Sequence, residues 1–94
     1  MVIKIYEWMV TDLELTKNDL LVFAVIYNYR REGWFNVPRR VISDWVGITP
    51  RGISTIIQKL AEIGVIEYKV LSDKEVGRYA AFKIPETIAE NYKD

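Results

Sequence analysis

One segment, Gly47–Ile66, limits the fold of this chain more than any other part of it. It reads GITPRGISTIIQKLAEIGVI, and its Thr-Pro pair is typical of a helix start, because Thr caps helices and Pro suits their first turn. The helix should end at about residue 63, since Gly64 suits the left-handed position after a helix. Its apolar side chains share one helical face, namely Ile53, Ile56, Ile57, Leu60 and Ile63. The segment therefore predicts an amphipathic helix that packs on a core.

A shorter helix is predicted immediately before this one. Pro38 opens it and Gly47 closes it. We expect its inward residues to be Val41, Ile42, Trp45 and Val46. Gly47 can adopt the positive φ that a tight corner requires, and Ser43 is small enough to let the two helices approach. This spacing predicts a helix-turn-helix over residues 38–64.

The residues before it predict a central helix and a short strand. Thr16-Lys-Asn-Asp19 resembles a capping box, so we expect the first helix to cover residues 16–33. Leu20–Tyr29 is apolar on nearly all sides, which is typical of a helix covered by its neighbours. The aromatic and β-branched run Trp34–Val37 favours a strand, and we expect Trp34 to be in the core.

Two strand-like runs follow the helix-turn-helix. Alternating apolar residues on both sides of the polar tip Ser72–Glu75 predict a β-hairpin, or wing, over residues 65–84. We expect residues 1–15 to form an N-terminal arm, either a short strand or a packed segment, and residues 85–94 to form a C-terminal tail. The whole chain, 1–94, is then one α+β domain. The predicted architecture is a winged helix-turn-helix, with a three-helix core, a C-terminal wing and a short strand between helices 1 and 2.

The composition argues against an enzyme. The 94 residues include no Cys and no His, which excludes disulfides and thiolate chemistry and removes the commonest general base. The carboxylate pairs Asp73/Glu75 and Asp12/Glu14 are more consistent with solvated charge than with a catalytic site. We therefore expect no catalytic residues, no cofactor and no metal. No apolar run is long enough to span a membrane and no signal peptide is evident, so we expect a cytoplasmic protein.

Charge is distributed unevenly along the chain. The net charge is zero and the pI is about 6.3, which argues mildly against nucleic-acid binding. Between Arg30 and Leu60, however, six basic residues face two acidic ones, a local charge of +4. The basic charge is thus gathered around the predicted helix-turn-helix, which favours an anionic partner.

The polar side of the last core helix is the candidate binding surface. In a DNA-reading domain such a helix lies in the major groove, where Arg51 could pair with guanine and Gln58 with adenine. We predict contacts to double-stranded DNA from Arg39, Arg40, Thr49, Arg51, Ser54, Thr55, Gln58, Lys59, Lys74 and Arg78. The alternatives are a solvated polar face and, for Thr49, a role as helix cap.

Two groups of residues resemble a known family. The first is Trp8-Met9, Leu13, Leu15, Asn18-x-Leu20-Leu21 and Ala24-x-Ile26-Tyr27. The second is Trp45-x-Gly47-Ile48-Thr49, Ile53, Ile57, Leu60 and Ile63-Gly64-Val65-Ile66. Together they resemble the N-terminal DNA-binding domain of replication initiator, or replisome organiser, proteins of bacterial phages and mobile elements. The resemblance implies a winged helix that binds duplex DNA through its third helix, with Arg51, Ser54, Thr55 and Gln58 as the contacts to carry over.

Two functions from different classes therefore remain open. The first is a sequence-specific DNA-binding protein of the replication-initiation or transcription-regulation type, with a replication or transcription protein as a further partner. A homodimer formed through the arm or the end of the chain is compatible with it. The second is a winged-helix docking module that binds a protein, which zero net charge and exposed Trp8, Trp34 or Tyr92 would favour.

Overall fold

The computed structural model of the protein describes residues 2–92, which form an α+β fold. Within these residues there are five helices and a three-stranded antiparallel sheet. The elements in chain order are α1 (Glu7–Thr11), α2 (Lys17–Asn28), β1 (Phe35–Asn36), α3 (Arg39–Val46), α4 (Pro50–Glu62), β2 (Glu67–Asp73), β3 (Gly77–Lys83) and α5 (Glu86–Asn91). Met1, Lys93 and Asp94, which belong to the predicted arm and tail, lie outside the described residues. The predicted α+β class is confirmed, and the order of elements is compatible with a winged helix.

Helix α2 is the centre of the core. Six consecutive residues, Val22–Tyr27, are buried, and the helix packs against both α3 and α4. A helix can be buried on all sides only when its side chains are apolar there, as the sequence predicted. The helix ends earlier than expected, at Asn28, so Gly33 does not cap it. The positive φ of Gly33, 74°, instead turns the loop that leads into β1.

The predicted capping box at the start of α2 is wrong. Thr16 is the N-cap residue, but its side chain makes no capping hydrogen bond. Lys17 has a φ of 52°, so the backbone at the helix start lacks the geometry that a capping box needs. Asp19 instead pairs its carboxylate with the ammonium of Lys59 on α4.

The N-terminal arm is a packed segment that contains the short helix α1. Met9 is fully buried, and the Trp8 indole stacks on Tyr92 with ring centroids 4.4 Å apart. Tyr27 meets the same indole edge to face at 5.1 Å. Offset-stacked and edge-to-face pairs are the favoured arrangements of aromatic rings. The arm and α5 are therefore joined to α2 by one aromatic cluster.

The sheet has the strand order β1-β3-β2, with every pairing antiparallel. Phe82 of β3 lies opposite Phe35 on one side and Tyr68 on the other, and this face of the sheet packs on the core. β1 pairs at only two positions, whereas β2 and β3 pair over seven consecutive residues. One edge of the sheet is therefore formed by the whole length of β2.

Three residues predicted for the core are exposed instead. Trp34 is 41% exposed because it lies on the outer face of the sheet, one position before the buried Phe35. Trp45 is 45% exposed because it lies three positions after the buried Ile42, which places it at the margin of the buried face of α3. Ile63 follows the last residue of α4 and is 52% exposed, since the chain turns at Gly64.

Candidate nucleic-acid interface

The corner between α3 and α4 is fixed by local chemistry. Gly47 has a φ of 79° and a ψ of 25°, the left-handed conformation that glycine adopts without a Cβ penalty. Its amide donates a hydrogen bond of 2.7 Å to the carbonyl of Ser43, which ends α3. The Ser43 hydroxyl donates in turn to the carbonyl of Ile48, across the corner. The direction of α4 relative to α3 is thus set by hydrogen bonds as well as by packing.

Thr49 and Pro50 begin α4 as the sequence predicted. The Thr49 hydroxyl oxygen accepts a hydrogen bond of 3.2 Å from the amide of Gly52. Pro50 is the first helical residue, where its missing amide proton leaves no intrahelical bond unmade. Thr49, one of the predicted DNA contacts, therefore uses its hydroxyl as the helix cap.

The exposed side of α4 carries a stripe of four residues: Arg51, Thr55, Gln58 and Glu62. They are spaced i, i+4, i+7 and i+11, which keeps them on one face of the helix. The opposite face is buried through Ile53, Ile57 and Leu60. Three of the predicted contacts thus lie together on this stripe. Glu62 adds a negative charge to the C-terminal end of the same stripe, so the positive charge is concentrated at its N-terminal end.

Two other predicted contacts lie on the flanks of α4. Ser54 is half-buried. Its hydroxyl accepts a hydrogen bond of 2.9 Å from the Nε of Arg39 and donates one of 3.1 Å to the carbonyl of Pro50. Lys59 reaches in the opposite direction and forms an ion pair with Asp19 on α2. Both side chains therefore bond within the protein and connect α4 to its neighbouring helices.

The remaining predicted contacts lie near the start of α3 and the tip of the wing. Arg39 is half-buried because it reaches Ser54, whereas Arg40, Lys74 and Arg78 are exposed. Position 73 shapes the wing tip, since the Asp73 carboxylate accepts hydrogen bonds of 2.8 and 3.2 Å from two amides of the turn. Such a turn holds Lys74 out from the hairpin.

A groove of about 610 Å³ separates the wing from the start of α3. Arg39 on one wall and Arg78 on the other line it, together with the acidic Asp73 and Glu75. The fold thus brings two predicted contacts that are far apart in sequence into one groove. Two positive and two negative side chains line the groove, so it has no net charge. The N-terminal end of the α4 stripe, by contrast, is positively charged.

Asn36 also lines this groove, although no sequence pattern points to it. Its side-chain amide donates a hydrogen bond of 2.8 Å to the carbonyl of Ala80, a residue of β3 that β1 is too short to pair with. Asn36 thereby satisfies a backbone acceptor of β3 that lies beyond the end of β1. Because neighbouring strand residues point to opposite faces and Phe35 is apolar, the sequence could have placed Asn36 on the outer face of the sheet. It could not have predicted the hydrogen bond to Ala80, which depends on where β1 ends.

Comparison of the chain with protein-family models, with curated protein sequences and with solved structures gives no match. Among residues 2–92, no helix is both long enough and apolar enough to cross a lipid bilayer. In the same part of the chain, no three acidic side chains converge into a group that could hold a metal ion.

Proposed function

We propose that the chain is a winged-helix protein that binds double-stranded DNA, with α4 lying in the major groove. The observation that carries this proposal is the stripe on α4, because a rigid corner presents Arg51, Thr55 and Gln58 together on the exposed side of the helix. A helix with its apolar face fixed in a core and hydrogen-bonding side chains on the other face has the form of a recognition helix.

The stripe also suggests an orientation. Arg51 is in the first turn of α4, where helix amides and the helix dipole favour a phosphate or a base acceptor. Glu62 would repel phosphates at the other end of the stripe. The N-terminal half of α4 therefore enters the groove, with Arg51 suited to guanine and Gln58 to adenine.

Backbone contacts would come from both sides of α4. Arg40 is exposed at the start of α3, and Lys74 and Arg78 are exposed on the wing. These contacts position the protein on the duplex and carry no sequence information directly. Arg39 has a double role in this proposal, because its Nε donates a hydrogen bond to Ser54 while the residue also lines the groove beside the wing.

The biological role that we propose is replication initiation or transcription regulation. It rests on the resemblance of residues 8–27 and 45–66 to phage and mobile-element initiator domains. A role of that kind requires a second partner, a replication or transcription protein.

The test is a titration of the protein into a labelled random-sequence duplex, followed by fluorescence anisotropy at 50 and 200 mM salt. Four phosphate contacts predict that affinity falls by roughly 100-fold between these salt concentrations. Arg40→Glu should weaken binding to every sequence and reduce the salt dependence, whereas Arg31→Glu, an exposed arginine outside the proposed interface, should bind as the wild type does. Absence of binding at 50 mM salt and tens of micromolar protein would refute the proposal.

Arg51→Ala separates reading of bases from attraction to phosphates. On a site selected from random sequence, the substitution should weaken the binding free energy by about 1 to 3 kcal/mol and relax the preference at one base position. If affinity and preference both stay unchanged, Arg51 does not read a base.

A docking module is the second candidate, and the two exposed tryptophans favour it. Trp34 and Trp45 are each more than two-fifths exposed, and tryptophan is enriched among the residues that anchor protein interfaces. In this alternative the chain binds a protein and has no affinity for DNA. The salt titration decides between the two, because only the DNA-binding protein gives a salt-dependent signal with random duplex.

A further inference from the structure

We infer that the outer edge of β2 is an interface through which two copies of the chain pair into one continuous antiparallel sheet. β2 is the edge strand of the order β1-β3-β2, so in residues 2–92 no strand covers its outer side. The backbone amides and carbonyls on that side are available to a further strand.

The edge lacks most of the devices that block strand addition. β2 keeps an unbroken register with β3 over seven residues, without a bulge, and its sequence EYKVLSD contains no Pro. Long edges of this kind are usually shortened, bulged or covered in proteins that remain monomeric. Val70 is 47% exposed in the middle of the strand, so pairing would also remove apolar surface from water.

Lys69 is the one charged side chain in the interior of β2, and a lysine there usually opposes strand addition. Its ammonium lies 4.2 Å from the centre of the Trp34 ring on the outer face of the sheet. Leu71 and Asp73 lie on the same outer face as Lys69, because every second residue of a strand points to the same side. Pairing is therefore favourable only in a register that gives Lys69 a negative partner.

The charges of β2 and the number of residues that can pair select that register. A two-fold axis through Val70 would pair the whole strand but would set Glu67 against Asp73 at both ends, and like charges directly opposite are destabilising. An axis through Lys69 would set the two ammonium groups against each other, and an axis through Tyr68 would pair Lys69 with Glu67 but over only three residues of each strand. An axis through Leu71 sets Lys69 opposite the second copy's Asp73 twice, with the two Leu71 side chains in contact between these ion pairs.

The second copy is thus the occupant that charge complementarity supports. The contact is isologous, as in most symmetric dimers, and gives a six-stranded sheet of order β1-β3-β2-β2-β3-β1. About five residues of each strand pair, which is a small interface. We expect a weak dimer, with a dissociation constant on the order of 100 µM.

Cysteine cross-linking tests the position of the axis, because the natural chain contains no Cys. Val70→Cys, Leu71→Cys and Ser72→Cys are compared under mild oxidation, and Val76→Cys at the exposed wing tip gives the rate of chance collisions. Directly opposite strand residues have Cβ atoms about 4.5 to 5.5 Å apart, close to the span of a disulfide. Leu71→Cys should form disulfide-linked dimers at least several-fold faster than the other three variants. Faster cross-linking at 70 or 72, or equal rates at all four positions, would overturn the inference.

Sedimentation equilibrium tests the charge pairing without a cross-link. The wild-type chain should dimerise between 10 µM and 1 mM, and Lys69→Glu should weaken the dimer at least tenfold. Lys74→Glu makes the same charge change outside the paired residues and serves as the matched control. A wild-type chain that stays monomeric at 1 mM, or a Lys69→Glu variant that dimerises as tightly as the wild type, contradicts the proposed interface.

Discussion

Gly52→Ala should stabilise the fold and weaken DNA binding, which makes it an informative single substitution in α4. Gly52 lies in the first turn of the helix, and no positive φ restricts the position to glycine. A Cβ built there would lie 3.5 Å from both the Ile48 Cδ1 atom and the Thr49 Oγ1 atom, which is ordinary van der Waals contact. No steric penalty therefore offsets the gain in helix propensity.

The magnitude follows from the helical position of Gly52. Alanine in place of glycine within a helix stabilises by about 0.5 to 1 kcal/mol, because glycine loses more backbone entropy on folding. In a domain of this size that gain corresponds to a rise in Tm of roughly 2 to 8 °C. The matched substitution Gly47→Ala has the opposite sign. A Cβ at Gly47 meets nothing within 4 Å, yet a φ of 79° should cost about 1 to 2 kcal/mol.

The binding half of the prediction depends on the proposed function. Without a side chain, Gly52 allows a phosphate to approach the amides at the start of α4. A methyl group at this position should lower duplex affinity by about tenfold, which is 1.4 kcal/mol. Urea denaturation and anisotropy on the same preparation measure both effects. A destabilised Gly52→Ala variant would refute the account of its geometry, and a stabilised variant with unchanged affinity would refute the phosphate contact.

Two other side chains give predictions of the same kind. Lys59→Ala should leave duplex affinity within about twofold and lower stability by less than about 1 kcal/mol, because its ammonium pairs with Asp19; a tenfold loss of affinity would place Lys59 at the DNA. The hydrogen bond to the Asp12 carboxylate, together with burial, raises the pKa of the Tyr92 phenol above its ordinary value of 10.0. The folded state therefore keeps this proton to higher pH, so the stability advantage of the wild type over Tyr92→Phe should be constant below pH 10 and decline above it. Urea denaturation from pH 8 to 11 measures that difference, and an advantage that stays flat to pH 11 would contradict the assignment.

The elements from α3 to β3 could be predicted from the sequence because their limits depend on local chemistry. Thr49 caps α4, and Gly47 and Gly64 both adopt positive φ at the ends of helices, as their positions predicted. The β-hairpin is recognisable because its alternating residues surround a polar tip. Each of these signals depends on a few neighbouring residues, so the rest of the fold does not override it.

The arm and the start of α2 could not be predicted in this way. α1 has five residues, which is too short for a helical period, and it is held by Met9 and Trp8 packing against residues distant in sequence. At the start of α2, Asp19 bonds with Lys59, forty positions away, instead of completing a capping box. Tertiary contacts determine the structure of both segments, and no local sequence pattern indicates those contacts.

The candidate interface shows the same division between local and distant causes. Helical spacing placed Arg51, Thr55 and Gln58 correctly on the exposed face of α4, because the opposite face is apolar. The same spacing could not show that Ser54 and Lys59 bond to residues of neighbouring helices. A residue on the flank of a helix is assigned only when the position of the next helix is known.

These flanking bonds have a consequence for recognition. Ser54 ties α4 to α3 through Arg39, and Lys59 ties it to α2 through Asp19, so polar contacts hold the helix on both sides of its buried face. A helix held in this way presents its stripe with little freedom to rotate, and association costs less when the binding surface is already ordered. Ser54 would then contribute to sequence recognition through the position of Arg51 and Gln58. Loss of the Arg39–Ser54 bond should consequently reduce the preference between sequences more than it reduces the attraction to phosphates.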